Sequence, residues 1–545
     1  MIENRTTSLT LRRLLTAVVF LAAPAAGLAA DTGDPGSRMP LLMPDDFSEM
    51  EVCAWRVEPA VPDPNNPLLE GEMPWDAGGI MTHGTVLRDP LDGIWKAWLL
   101  CTPPDVRLET LGMTAFDMTR RLCYFESTDG VSWTRPKLPE SAFSGYGETN
   151  IVFDDTDNGG AQYASVSVLP DKQPWPYEMF VYRNTYGPGK PGYTHLHHYR
   201  SREGKKWDLV GGPIRGPMST DVCYVYPDPT EGYVAYYRLG IPDDDTRHIP
   251  IYEGRKGQTR QLFRAVSRDG QTWVDDQKIV RRDERDHRDT QHMELVPHPV
   301  PGGILGIFSI YRPLTQTLNL RTGASRDGKQ WWFPDRRPCL DNPPLGEYGG
   351  GMIWQSKNLV VDGDRLYVYY AGTEGIHRPI FDSRATEFHD IGLDRVINYQ
   401  ADFLPFNSAL CRASWRIDRL YALVSAAGGP TLGVATTKPR DLAGKQLQLN
   451  FLTRPPKKSR QQPFDEGHLQ VELLDAQGAP LLGFSRTDCR PLRGDHRALP
   501  VSWRGGDRAP SAARQARFYL KRAYLWGFCF GKPEDSTDQV PANRN

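Results

Sequence analysis

The chain has 545 residues, 39% hydrophobic and 24% charged, with 51 Gly, 46 Pro, 14 Trp, 23 Tyr and 20 Phe. That apolar share excludes a wholly disordered chain, and the lack of a three-residue glycine period or a long heptad run excludes collagen and coiled coil. A net charge of −2 leaves no electrostatic footprint for nucleic acid, and the many aromatic and turn residues favour β structure.

The first element in chain order is a targeting signal. Arg5, Arg12 and Arg13 form a basic stretch, residues 14–26 a short apolar one, and Ala29 and Ala30 a small-residue cleavage site before Asp31. This predicts a secretory signal peptide over 1–30, a short N-terminal segment over 31–49, and a secreted or periplasmic protein. The apolar run is short for a membrane span, and no later stretch is apolar enough to cross a bilayer. The eight cysteines are scattered without a CxxC pair, which argues against zinc-ribbon or thioredoxin-like chemistry. No disulfide pairing is assigned, and neither a metal nor a cofactor is expected.

A repeat follows. S-x-[DE]-G-x-x-W occurs four times, at 127–133, 201–207, 267–273 and 325–331, with starts 74, 66 and 58 residues apart. In each copy Asp-Gly or Glu-Gly supplies a tight turn, Ser can bond back to the turn backbone, and Trp is placed to pack between sheets. β-type runs precede each copy, such as 93–100, 176–183, 232–239 and 303–311, and a fifth run, 364–372, follows the last. Innermost-strand candidates lie further upstream of each. This predicts five units of about four strands over 50–400, a five-bladed β-propeller.

The pattern then changes. Residues 401–440 are a connecting segment rich in small residues, and 441–531 carry longer alternating runs around turns such as Asp475-Ala-Gln-Gly. Those runs predict a C-terminal β-sandwich, so the fold class is all-β throughout. The last residues, 532–545, read as a disordered tail.

Several segments together resemble glycoside hydrolase families 32, 43 and 68. They are PWDAGG (74–79), FESTDGVSWTRP (125–136), EYGGGMIW (347–354), DRLYVYYAG (364–372), VELLDAQGAPLLGFSRTDC (471–489), GDHRALPVSWRGG (494–506) and AYLWGFCFG (523–531). The likeness is nearest to exported family-32-like proteins of planctomycete-type bacteria and covers nearly all of the mature chain. It departs from family 32 at three motifs: WDAGG stands for WMNDPNG, Arg288-Asp289-Thr290 for RDP, and no Glu-Cys pair occurs. The resemblance implies a carbohydrate substrate and hydrolysis of a glycosidic bond by two carboxyl groups. Asp76 matches the first-blade acid, the nucleophile of a retaining mechanism or the base of an inverting one.

Carboxylates at or just before the innermost strands are the residues to test, since a propeller holds its substrate at one end of the channel. Asp76, Asp221, Asp289, Glu294 and Glu347 qualify. Asp76, between Trp75 and three small residues, is the first candidate; its competing role is to bond local turn amides. Glu347 is the candidate proton donor, and Asp221 and Asp289 compete as transition-state stabiliser or sugar ligand. Trp75, His83 and His292 are candidate substrate contacts. Three second strands end in Tyr-Arg, so Arg183, Arg238 and Arg312 are expected to ring the pocket and bind a carboxylate or sulfate, or else to pair with its aspartates. The charged run 281–289 reads as a loop of mutual ion pairs or as a pocket rim.

The expected function is an exported glycoside hydrolase acting on a poly- or oligosaccharide, possibly anionic. The alternative is a propeller that binds carbohydrate without cleaving it. A sialidase-like enzyme fits less well, because there are five units and the turn motif is one residue shorter than the sialidase Asp box.

Overall fold

Period-two patterning punctuated by Asp-Gly and Glu-Gly turns folds the chain into antiparallel strands. The computed structural model describes residues 38–103, 120–138, 141, 143, 146–153, 161–184, 194–214, 223–242, 258–287, 289–313, 315–377, 408–426, 431–456 and 465–531. The expected signal peptide, the expected tail and Asp221 lie outside them. Among the described residues there are strands and short 3-10 turns, no α-helix, and no helix long and apolar enough to cross a membrane.

The chain opens with β1 (Phe47–Glu51), β2 (Cys53–Val57) and β3 (Val61–Pro62). A first sheet follows with β4 (Gly79–Arg88), β5 (Trp95–Thr102) and β6 (Arg121–Ser127). The second holds β7 (Ala161–Val168), β8 (Tyr177–Asn184), β9 (Thr194–Ser201) and β10 (Asp208–Ile214). The third holds β11 (Cys223–Asp228), β12 (Gly232–Pro242), β13 (Gln258–Ser267) and β14 (Val274–Val280). The fourth, β15 (Gln291–Val300), β16 (Gly303–Arg312) and β17 (Thr317–Ser325), and the fifth, β18 (Met352–Asp362), β19 (Arg365–Thr373) and β20 (Ser408–Arg416), are joined by the parallel pair Leu318–Met352 and with β3 make one seven-stranded sheet. The leading strands β4, β7, β11, β15 and β18 pack side by side in that order, and β18 returns onto β4, so these strands close around an axis.

The repeated turns lock this ring. In every copy the serine Oγ accepts the glycine amide three residues on, at 2.9 Å, and each glycine has φ between +71° and +79°. The turn is self-contained because its hydrogen bonds fall within one heptapeptide. Its outer surface then docks on the preceding sheet. Trp98 Nε1 of the first sheet donates to Gly204 O of the second at 2.7 Å, and Tyr236 of the third to Gly328 O of the fourth at 3.3 Å. Tyr369 of the fifth sheet donates to Gly130 O of the first at 2.8 Å, which closes the circle. A Cβ on Gly204 would stand 2.8 Å from the Trp98 ring, so glycine is required there for close approach as well as for its φ.

The remaining strands are β21 (Tyr421–Ser425), β22 (Gly433–Thr437), β23 (Leu447–Thr453), β24 (His468–Leu474), β25 (Asp495–Pro500), β26 (Gln515–Lys521) and β27 (Ala523–Phe530). They form two sheets, ordered β1-β22-β26-β24 and β2-β21-β27-β23-β25, that enclose one apolar core around Leu449, Phe451, Val471, Phe518 and Leu525.

The expected boundaries shift at both ends. β20 extends the fifth sheet past residue 400, and β21 and β22 make 421–437 part of the C-terminal sheets rather than a connector. Residues 50–57 pair with those same sheets, while β3 pairs with β20 through Val61–Ser414 and Pro62–Ala413 and so completes the fifth sheet. An open sheet edge gains by taking a strand from wherever the chain brings one, and pairing across some 350 residues leaves no local sequence signal.

Candidate functional site

Four of the five leading strands are irregular near their starts. The register slips between Met81 and Thr85 on β4, Gln162 and Ser165 on β7, His292 and Glu294 on β15, and Gln355 and Leu359 on β18. Such slips turn side chains away from strict alternation. The residues inside them include His83, Tyr163, Met293 and Lys357, and Tyr163 has φ +56°.

The consequence is an aromatic floor at one end of the axis. The His83 ring lies 4.4 Å from that of Tyr163 and 4.6 Å from that of Trp354, and Tyr163 is 6.2 Å from Tyr224. Trp354 continues the belt to His377 at 6.2 Å, and His377 to Tyr311 at 5.5 Å. Below it the axis is filled. Tyr224 hydroxyl donates to Gln355 O at 3.2 Å, Gln355 Nε2 to Ile307 O at 3.0 Å, and Tyr226 hydroxyl to Lys357 O at 2.8 Å. Lys357 reaches across to the second sheet, donating to Val166 O at 2.9 Å and Ser167 Oγ at 2.8 Å. Burial pushes its ammonium down to about 7.

Arginines line the strands that follow the leading ones. Arg183, on β8, lies 4.5 Å over the Phe153 ring, and Arg238, on β12, places Nη1 2.8 Å from Met293 Sδ. Arg260, on β13, donates to Gln291 Oε1 at 2.9 Å and lies 5.3 Å over Tyr311. Arg312, the last residue of β16, donates to Asp289 Oδ1 at 2.8 Å and Thr290 Oγ1 at 3.0 Å.

Asp76 is fully buried and engaged in structure. Its Oδ1 accepts the amides of Glu72 and Met73 at 2.8 and 2.7 Å, and its Oδ2 accepts Arg135 Nε at 2.8 Å. This is the turn-bonding role. Trp75 is also buried, donating to Asn150 Oδ1 at 2.7 Å between Phe143 and Tyr146. Glu347 is exposed on the loop before β18. Glu294 lies deep, accepting Ser309 Oγ at 3.1 Å.

Asp289 is 5% exposed and holds two neighbours on Oδ1, Arg312 and His287 Nδ1, the latter at 2.5 Å. His292 is buried in an ionic cluster where Asp286 accepts Arg321 at 2.7 Å and Arg336 at 3.2 Å. Burial, outweighing the nearby carboxylates, holds its ring down to about 3. The loop 281–289 therefore pairs with Arg312 of β16, Arg321 of β17 and Arg336 beyond, and within itself through His287 and Asp289. Among the described residues no group of three or more His, Cys, Asp or Glu is placed to hold a metal ion.

Of the expected residues, His83 lies in the aromatic floor, Arg238 reaches Met293 of β15, Arg183 lies over Phe153, and Arg312 and Asp289 pair with each other. It sets Asp76 and Trp75 into the packing of the first sheet. Tyr163, Trp354, Arg260, His377 and His287 escaped the sequence reading. Tyr163 and His83 owe their aim to bulges, which have no residue signature; Arg260 could have been found as an arginine beginning a third strand.

No family model and no curated protein matches the chain. Solved structures that resemble it include a β-1,2-mannobiose phosphorylase from Listeria innocua, 14% identical over 66% of this chain and 98% of that one, with a TM-score of 0.43. A putative glycoside hydrolase from Parabacteroides distasonis is 13% identical over 67% and 98%, with a TM-score of 0.42. Another, from work on the family-130 mannoside phosphorylases and the glycoside hydrolases among them, is 12% identical over 70% and 97%, with a TM-score of 0.41. Likeness at this level leaves the activity to be argued from the chain's own residues.

Proposed function

We propose that the protein is an exported carbohydrate-processing enzyme, a glycoside hydrolase in which a five-bladed propeller carries the site and a C-terminal β-sandwich buttresses it. The observation that carries this reading is the stack of Tyr163, His83 and Trp354 at the floor of the axis, with guanidinium groups on the strands that follow the leading ones. Flat rings bind the apolar faces of sugars, and planar fork donors bind hydroxyl, carboxylate or sulfate oxygens in pairs. Guanidinium groups on these strands would favour an anionic saccharide over a neutral one, through charge-assisted bonds of about 1.5–3 kcal/mol each.

The competing reading, binding without cleavage, draws on one observation: Asp76 has both carboxylate oxygens committed to turn amides and Arg135. Matched neutral, uronate-containing and sulfated oligosaccharides, tested by calorimetry and by release of reducing ends at low and high salt, separate the readings. Binding of an anionic member that weakens with salt, together with new reducing ends, is the expected result. Binding without new ends would favour the non-catalytic protein, and no binding to any member would sink both.

A further inference from the structure

His287 and Asp289 form a pair that carbohydrate recognition alone does not need. They lie in the loop entering β15, on the face where the leading strands begin. The aspartate is the inner member, 5% exposed and held by Arg312 Nη1 at 2.8 Å. The imidazole is the outer member, its side chain 66% exposed, with Nδ1 2.5 Å from Asp289 Oδ1. The Thr290 amide donates to His287 O at 2.9 Å, which turns the short segment back on itself. An ionised carboxylate can only accept, so Nδ1 carries the hydrogen and Nε2 presents its lone pair outward. A buried carboxylate behind an exposed imidazole fixes the tautomer and the ring orientation, as a proton-transfer residue requires.

From this geometry we infer that His287 is the proton-transfer residue of the mouth and that Asp289 is its positioning residue. The inference rests on the carbohydrate-processing reading and changes the role of Asp289, from sugar ligand to orienting partner. In the step, Nε2 takes a proton from the attacking water. The O–H bond breaks as N–H forms, and the water oxygen bonds the anomeric carbon as the glycosidic C–O bond breaks. The departing oxygen, on the opposite side of the anomeric carbon, takes a proton from solvent, and the imidazolium gives its own proton to solvent, leaving two hydroxyl products and a neutral ring.

The test uses the full-length protein and the oligosaccharide that it cleaves best in the panel. His287→Ala should lower kcat by about 100-fold or more while KM stays within about threefold, and added imidazole should restore part of the lost rate. Asp289→Asn should also lower kcat, without rescue by imidazole, because the ring is still present. His287→Gln, which keeps a polar side chain of similar reach, should be as slow as the alanine variant. Turnover of His287→Ala within about twofold of wild type, or a loss that imidazole does not restore, overturns the inference and leaves the carbohydrate reading standing. A wild-type protein that neither binds nor cleaves any member of the panel overturns both.

Discussion

The ring of five sheets and the two C-terminal sheets use the same strands and turns but bury different chemistry. The C-terminal core is a layer of Leu, Phe, Val and Ala, with Phe451, Phe518 and Leu525 at its centre. The ring buries Thr82, His83, Glu294, Gln355 and Lys357 near its axis, and His292, Arg321 and Asp286 within the fourth sheet. Burying polar groups costs stability unless each is paired, so the ring's axis is the costlier of the two interiors to assemble. The C-terminal region contributes a frame: Arg416 and Arg419, beside the fifth sheet, clasp Asp495 of β25 at 2.7 and 2.5 Å.

Three substitutions sharpen that contrast. Phe451→Ala should cost about 3–5 kcal/mol of unfolding free energy, read by urea denaturation, and leave saccharide affinity at the mouth unchanged. A smaller cost of about 3 kcal/mol is expected from Arg135→Ala, because fully buried Asp76 would lose its cation. If stability were unaffected, Asp76 would not be the structural residue its contacts describe.

The third concerns Lys357. Its ammonium titrates at about 7 in the folded protein, below the usual lysine value, so between those two pH values only the unfolded chain holds the proton. Stability should therefore rise with pH from about 7 towards 10, with a slope of at most about 1.4 kcal/mol per pH unit from this group. Below pH 7 both states are protonated and the contribution is flat. Lys357→Met should remove that slope, measured as the difference between the two proteins' urea midpoints across pH; identical slopes would place the amine in water.

Much of the fold could be read directly. The S-x-[DE]-G-x-x-W turns form as expected because serine, glycine and the acidic residue satisfy one another within seven positions. The Asp475 turn is equally local, its carboxylate accepting the amides of Gln477 and Ala479. The same locality misled at Asp76: WDAGG looks like an approach for a sugar ring, yet the carboxylate turns inward to two amides and to an arginine 59 residues away.

The strands, the repeat of turns and the all-β class were legible in the chain alone, since each depends on neighbours in sequence. Only the tertiary structure decided that β3 completes a sheet begun some 300 residues later, that Tyr163, His83 and Trp354 meet, and that Lys357 spans the axis. Those outcomes follow from closing a ring, which sets strand against strand at a radius where register must slip, and no single segment carries that constraint.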